Sequence, residues 1–357
     1  MLNKTSAPTS QSSTFSISKD FGSIIKGLGI ILMIIHHCFG FPNWFISAIS
    51  YPDILPYAKH ISSSTKICVS IFAFFTGWVY YFHRDKTFKY SLKKITNFLV
   101  CYWIDFLVIY VLAWSFCNYN PSIKQIFAEL LPFHRFPLMI FAWYVIFYIW
   151  TMLALPICDR ILKSENRVGA FFCCLSFIFI ASLLNRNNYF EWLRIQYLYI
   201  WFPTVLAGYY FAKFHVFDML QEKVSLLRPY LRFLLGVFIV ICSLVLHAKN
   251  GFSVKINNGW YLAPMFIFGA YQIFHTFMKL NFVLIFLGKH AMNIWFLHCI
   301  FFSKITREVF QPLAYFPQNP IFVVILVLLV CSACSVVLTK FQGRLNAHVN
   351  RLIFDRK

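Results

Sequence analysis

Long apolar runs dominate this sequence and restrict its fold more than any other feature. A helix needs about 20 apolar residues to cross a bilayer. Runs near that length predict ten helices, at 22–41, 67–83, 95–117, 138–158, 168–184, 196–213, 231–247, 260–278, 281–303 and 320–340. Only 12% of the residues are charged, about half the share that soluble proteins carry. We therefore predict an all-α, polytopic membrane helix bundle whose ninth helix is broken or kinked at Gly288-Lys289-His290.

The cations predict how the bundle is oriented. Of the 32 Lys and Arg, 21 fall in the N-terminal tail, the even-numbered loops and the C-terminal tail, whereas the odd-numbered loops hold 10. Cytoplasmic loops collect Lys and Arg, so both termini are predicted to be cytoplasmic. This spread over short loops argues against a nucleic-acid partner for the net charge of +20. We divide the chain into a disordered cytoplasmic tail at 1–20, a transmembrane domain at 21–341 and a basic cytoplasmic tail at 342–357.

Lys26 and His37 lie in the first apolar run with ten residues between them. On an α-helix, eleven steps return to within about 20° of the starting direction and rise about 16 Å. Ionisable groups at membrane depth are costly and usually functional, so we expect this face to line a polar cavity. Small and flexible residues share it, namely Gly22, Gly29, Met33 and Gly40. A snorkelling Lys26 and a merely structural His37 are the alternative.

Three further ionisable side chains lie at membrane depth. His36 is about 100° around the helix from its neighbour and should face elsewhere. His298 is either a second cavity group or an interhelical hydrogen-bonding group. Asp105 needs a partner because it is predicted to be buried, and a histidine or Lys26 could supply one. Whether Asp105 orients an imidazole or only makes a structural hydrogen bond remains open.

A basic cluster follows the second predicted helix. Its members are Arg84, Lys86, Lys89, Lys93 and Lys94. Such clusters usually orient the chain and bind anionic lipid. A phosphate-rich cytosolic cofactor would meet the same cations.

Several short motifs together resemble the membrane-bound acyltransferase-3 family. The segment KGLGIILMIIHH has that family's basic residue, ten-residue spacing and histidine. FAFFTGWVYY places Thr76-Gly77 where the family has Ser-Gly, and Trp143-Tyr144 matches its Trp-Tyr/Phe. The segment LGKHAMNIWFLH keeps His298 but has Ala291 and Trp295 where the family has Ser and Tyr. In KKITNFLVCYW, Asn97 and Cys101 replace the usual Arg and Pro.

The resemblance implies an acyl-coenzyme A donor, most often acetyl-CoA, that enters from the cytoplasm, and no metal. The acceptor would be a hydroxyl of a cell-envelope glycan or its lipid-linked precursor outside the cell membrane. An imidazole can accept the proton of this hydroxyl near neutral pH, so His37 is the expected general base. Lys26 and Asp105 are expected as further catalytic groups. The other expected site residues are His36, Thr76, Trp143 and His298 for substrate, and Arg84, Lys93 and Lys94 for the coenzyme.

Two other functions fit the sequence less directly. A transporter or exporter of glycan intermediates would also suit ten helices, a broken helix and titratable groups at mid-depth. A structural membrane subunit would leave the Lys26–His37 face unexplained.

Overall fold

The computed structural model describes residues 17–46, 54–131, 137–163, 166–186, 194–249, 258–275 and 281–355. Within these ranges the regular structure is entirely helical. The predicted runs correspond to α1 (Lys19–Phe39), α3 (Ile67–Phe82), α4 (Phe88–Cys117), α6 (Trp143–Ile161), α7 (Arg167–Arg186), α8 (Gln196–Lys213), α10 (Pro229–Lys249), α11 (Gly259–Phe274), the unit α12 (Phe282–Lys289), α13 (Ala291–Leu297) and α14 (Cys299–Phe302), and α16 (Pro320–Ile353). Shorter helices are α2 (Ala58–Thr65), α5 (Ile123–Leu130), α9 (Val216–Ser225) and α15 (Arg307–Tyr315).

Seven of these helical stretches are long and apolar enough to cross a membrane. The α12–α14 unit makes an eighth if it counts as one span, and it is bent by 66°. This bend confirms the predicted break, because α12 ends at Lys289 and α13 begins at Ala291. The protein is therefore a multi-pass membrane helix bundle. Helices α8 and α11 fall outside the same length and hydropathy criteria, so the count of ten spans stays a prediction.

Helix α1 lies at the centre of the bundle. The Ser18 hydroxyl caps its N-terminus by accepting a hydrogen bond from the Phe21 N–H at 3.1 Å, as Ser commonly does at this position. From there α1 packs against α2, α3, α12 and α16. Residues on nearly every side of α1 are thus buried by protein, and its polar side chains face other helices.

Glycines set the closest helix crossings. A Cβ on Gly77 of α3 would overlap the Val205 carbonyl oxygen, and one on Gly208 of α8 would overlap that of Phe74. The crossing of α1 with α12 also depends on a glycine, because a Cβ on Gly288 would overlap the Ser23 carbonyl oxygen. Small residues of this kind let helix backbones touch in membranes, where packing replaces the hydrophobic effect between helices.

Helix α16 continues well beyond its predicted end. It runs to Ile353, so most of the segment predicted as a tail is helical. The reason lies in polar residues one turn apart on the face toward α4. The Gln342 amide donates to Oδ1 of Asp105 at 3.1 Å, and the Asn346 amide donates to the Asn97 carbonyl at 3.4 Å. Through these hydrogen bonds, α16 continues to pack against α4 beyond the end of its apolar run at residue 340.

We expect Gly208→Ala to destabilise the protein by about 1–3 kcal/mol, because the added methyl group overpacks a backbone contact. Thermal unfolding of the purified protein in detergent measures this. Gly343→Ala is the matched control, since Gly343 has nothing within 4 Å of its added Cβ, and a helical Gly→Ala change gains about 1 kcal/mol. Equal stability of the two variants would contradict the tight crossing.

Candidate active site

A cavity of about 1210 Å³ opens at one end of the bundle. Four lysines line it, Lys19, Lys26, Lys94 and Lys289, together with an aromatic wall made by Phe72, Tyr80, Tyr90, Phe98, Tyr144, Tyr148 and Trp295. The cavity lies beside the start of α1 and the basic loop between α3 and α4, which is the end that the cation count predicts to be cytoplasmic. Its lining pairs positive charge with apolar surface, as a site for a large amphipathic anion requires. We call it the inner cavity.

His37 and His298 form a buried pair deeper in the bundle. Nε2 of His298 lies 3.0 Å from Nδ1 of His37. The His298 side chain is 0% exposed and that of His37 is 7% exposed. His37 belongs to α1, and His298 lies between α13 and α14, where it follows the last residue of α13. The structure thus brings together two histidines that are 261 residues apart in sequence.

The hydrogen bonds fix where the protons of this pair lie. Nδ1 of His298 is 3.1 Å from the Ile294 carbonyl oxygen, which can only accept, so this nitrogen carries the hydrogen. A neutral imidazole then has an unprotonated Nε2, and burial favours the neutral form. His37 must therefore donate from Nδ1, which also faces the weakly accepting Met33 sulfur at 3.2 Å. Its Nε2 then carries an unshared lone pair and has no hydrogen-bond partner among the residues that the structure describes.

Aromatic rings enclose the two imidazoles. The Phe141 ring lies 3.8 Å from the His37 ring and 4.6 Å from the His298 ring, nearly parallel to the latter. The Trp44 ring is nearly parallel to the His37 ring, with centroids 6.2 Å apart, and its centroid lies 6.0 Å from that of Phe141. This packing restricts rotation of both rings, so the geometry that leaves Nε2 of His37 unprotonated is held rigidly.

Short connecting segments cover the pair on the side away from the inner cavity. Gln311 of α15 is fully buried and binds the Trp44 segment twice, donating to the Trp44 carbonyl and accepting from the Ile46 N–H at 2.9 Å. The Phe141 segment is anchored by Glu129, which accepts from the Leu138 N–H at 3.1 Å. Burial raises the pKa of the Glu129 carboxyl. We call the segments 42–46, 137–142 and 303–315 the outer cover.

A family comparison identifies the class of protein that carries this site. The family model described as an acyltransferase domain matches residues 23–340, nearly the whole chain. The chain belongs to the membrane-bound acyltransferase-3 family. It is therefore an acyltransferase. No curated protein and no solved structure matched the chain significantly.

The described lining of the acyltransferase's inner cavity does not include the histidine pair. Lys26 and Thr76 line this cavity, whereas neither His37 nor His298 does. Trp295 also lines it, and the centroid of its ring lies 4.8 Å from that of Tyr144 and 5.5 Å from that of Phe72. The single wet interior expected for Lys26 and His37 therefore stays a prediction.

His36 faces different partners from His37, as the helical spacing predicts. Its Nδ1 lies 3.3 Å from the Thr65 hydroxyl oxygen, and its ring packs edge-on against Phe41. Lys66 and His247 lie close enough to act on it electrostatically. The structure does not place His36 beside the inner cavity.

Asp105 has a different partner from the ones expected. It is fully buried and accepts from the Gln342 amide of α16, not from Lys26 or a histidine. The apolar sequence around Asp105 correctly predicted that this residue is buried. It could not identify the hydrogen-bond donor, because Gln342 lies in the segment assigned to the tail. Asp105 therefore belongs to the α4–α16 contact, and its second oxygen has no partner among the described residues.

The expected coenzyme and substrate residues separate into two groups. Lys94 lines the inner cavity, but the neighbouring Lys93 points away and pairs with Asp355 at 3.2 Å, and Arg84 is exposed outside the lining. Trp143 packs against Tyr197 and Trp201, and it is the adjacent Tyr144 that lines the cavity. Adjacent helical residues point about 100° apart, which explains both separations.

Sequence reasoning missed three residues of this site. Trp295 was noted only because it departs from the family pattern, and Lys289 only because it belongs to the predicted helix break. Neither was predicted to line the site. Phe141 carried no signal, because apolar residues surround it in the sequence. The spacing of Trp295 and His298, three residues on one helix, could have indicated a shared face.

We expect nitrogen NMR of histidine-labelled protein to find His37 as the Nδ1–H tautomer at neutral pH. In water the imidazole has no such constraint, and here two acceptors hold the hydrogen on Nδ1. His298→Phe removes the principal acceptor, so the His37 signals should shift toward the other tautomer. An unchanged His37 spectrum in His298→Phe would contradict the assignment. The exposed His60 is the internal control, since its signals should not move.

Proposed function

We propose that this protein transfers an acyl group, most often acetyl, from cytoplasmic acyl-CoA to a hydroxyl of a cell-envelope glycan or its lipid-linked precursor. The proposal places the protein in the cell membrane, where its donor and acceptor approach from opposite sides. The observation that carries it is the hydrogen-bonded chain from the Ile294 carbonyl through His298 to Nδ1 of His37. This chain supports an unprotonated Nε2 on His37, which can accept a proton.

The inner cavity supports coenzyme A as the carrier of the acyl group. Its volume exceeds the 300–1,000 Å³ or so that holds an ordinary small ligand. Lys26, Lys94 and Lys289 offer donors to phosphate groups, and the aromatic wall offers faces for the adenine and the pantetheine chain. The coenzyme supplies a thioester, whose carbonyl carbon is activated toward attack. These residues would hold the phosphates at the cavity mouth and direct the thioester toward Trp295.

His37 is proposed to act as the general base. Its Nε2 accepts the proton of the acceptor hydroxyl as the oxygen attacks the thioester carbon. The same nitrogen then returns the proton to the departing thiolate, so the reaction needs no external acid. His298 is a positioning residue: it accepts from Nδ1–H of His37 and steadies the positive charge that His37 gains during transfer.

The outer cover supports an acceptor that arrives from the opposite side. Gln311, Glu129 and Tyr315 fasten it through the Trp44 segment, the Phe141 segment and the Cys38 carbonyl respectively. An acceptor hydroxyl has to pass between these segments to reach His37. The family assignment does not identify the sugar, and the outer cover is the part of the chain from which its identity would follow.

We expect His37→Ala to abolish transfer of labelled acetyl from acetyl-CoA in membrane vesicles, because removal of a general base lowers the rate by about 10²–10⁴-fold. Membrane insertion and abundance should remain unchanged. His36→Ala is the matched control and should be milder, since His36 faces Thr65 and not His298. If His36→Ala proved the more damaging change, the assignment of the base would be wrong.

We expect Lys94→Met to raise the KM for acetyl-CoA about 10- to 100-fold, the loss expected when a charge-assisted hydrogen bond of roughly 1.5–3 kcal/mol is removed. Lys93→Met is a control one residue away, and it should leave KM near the wild-type value because Lys93 pairs with Asp355 outside the cavity. Initial rates of thiol release at varied acetyl-CoA measure both. Equal effects of the two changes would argue that the loop acts through its overall charge.

A further inference from the structure

Trp295 stands at the junction between the two halves of the site. Its side chain belongs to the lining of the inner cavity. His298 follows three residues later on the same helical unit, about 4.5 Å further along the axis and on the same side. A thioester that reaches His37 from the inner cavity must therefore bring its carbonyl past the Trp295 ring.

The indole nitrogen of Trp295 has an unmet hydrogen bond. The Trp295 side chain is only 5% exposed. Its Nε1–H is shielded from solvent and has no hydrogen-bond acceptor among the residues that the structure describes. An indole N–H can only donate. Burying a donor without a partner is unfavourable, and a ligand that supplies an acceptor would remove that penalty.

The neighbouring walls offer no such acceptor. Phe72 and Phe296, which also line the cavity, are apolar. The Thr76 hydroxyl donates to the Phe72 carbonyl at 2.9 Å within its own helix. Since no described residue serves as the acceptor, a ligand that enters the cavity can supply it, and on the proposed function that ligand is an acyl thioester.

We infer that the indole N–H of Trp295 binds the carbonyl oxygen of the acyl group and stabilises the negative charge that this oxygen gains. This inference rests on the proposed acyl transfer. The acceptor hydroxyl oxygen forms a bond to the acyl carbon, and the carbonyl electron pair moves onto the oxygen bonded to Nε1–H. The carbon–sulfur bond then breaks, the carbonyl re-forms, and the thiolate takes the proton that His37 removed.

The charge on the carbonyl oxygen grows only as the hydroxyl attacks, so the bond from Nε1–H is strongest in the transition state. Donors placed in this way act mainly on kcat, and removing one typically lowers kcat by about 10²–10³-fold. Acetyl-CoA that has not yet reacted accepts the same hydrogen bond through its carbonyl oxygen, but the bond is weaker. The inference therefore predicts a large effect on turnover and a small one on affinity.

The test compares Trp295→Phe with Trp114→Phe. Phenylalanine keeps a ring and removes the N–H. Trp114 of α4 is 57% exposed on the outside of the bundle and undergoes the same substitution there. Thiol release from acetyl-CoA by inverted membrane vesicles should show kcat lowered about 10²-fold in Trp295→Phe, with KM changed by less than about threefold. Trp114→Phe should match the wild type.

A binding measurement isolates the carbonyl itself. S-ethyl-coenzyme A is a thioether that lacks the carbonyl oxygen but keeps the rest of acetyl-CoA. The wild type should bind acetyl-CoA about three- to tenfold more tightly than this analogue, the range of one neutral hydrogen bond. Trp295→Phe should bind the two alike, whereas Trp114→Phe should discriminate as the wild type does.

A third measurement needs no substitution at all. The indole N–H resonance of Trp295 in labelled wild-type protein should shift on addition of acetyl-CoA and stay in place with S-ethyl-coenzyme A. Unchanged kcat and retained discrimination in Trp295→Phe, or no difference between the two ligands in the resonance, would overturn the inference alone. If wild-type vesicles released no thiol from acetyl-CoA at all, the proposed function would fall and this inference with it.

Discussion

The hydrogen bond between His37 and His298 joins the two most informative segments of the chain. It links α1, the first apolar helix, to the far side of a break in the ninth. Its direction is set from outside the pair, because the Ile294 carbonyl fixes the hydrogen on His298 and thereby on His37. One backbone oxygen thus determines which imidazole nitrogen is able to accept a proton.

That bond depends on a backbone approach lower in the bundle. Gly27 and Gly288 bring α1 and α12 close enough that carbonyl oxygens occupy the space of missing side chains. The 66° bend then redirects the chain, so that α13 carries Trp295 and His298 toward the centre. Without the glycines the two helices would stand further apart, and without the bend His298 would point elsewhere. The chemistry of the pair is therefore built on close packing of small residues, which membrane bundles use where lipid removes the hydrophobic drive.

Much of this arrangement can be predicted from the sequence, and the rest fails for identifiable reasons. Ten apolar runs predicted the helices, and Gly288-Lys289-His290 predicted the break. Both the length of an apolar run and its interruption by glycine and polar residues can be read from neighbouring positions. The different directions of His36 and His37 followed from helical geometry alone. Pairing was not accessible in the same way: the Asp105 partner, Gln342, and the Lys93 partner, Asp355, both lie in a segment judged too polar to be part of the bundle. Long-range contacts of polar residues leave no periodic trace in one sequence.

The length of α16 has a consequence for handling the protein. Its 34 residues make a rod of roughly 51 Å at 1.5 Å per residue, against a hydrocarbon layer about 30 Å thick. About 20 Å of rigid helix therefore extends beyond the lipid. Just beyond its end, Asp355 forms an exposed ion pair with Lys93 of α4 at 3.2 Å. A purification tag or fluorescent reporter joined after the final residue would stand clear of detergent or lipid, on a stalk that the molecule already provides.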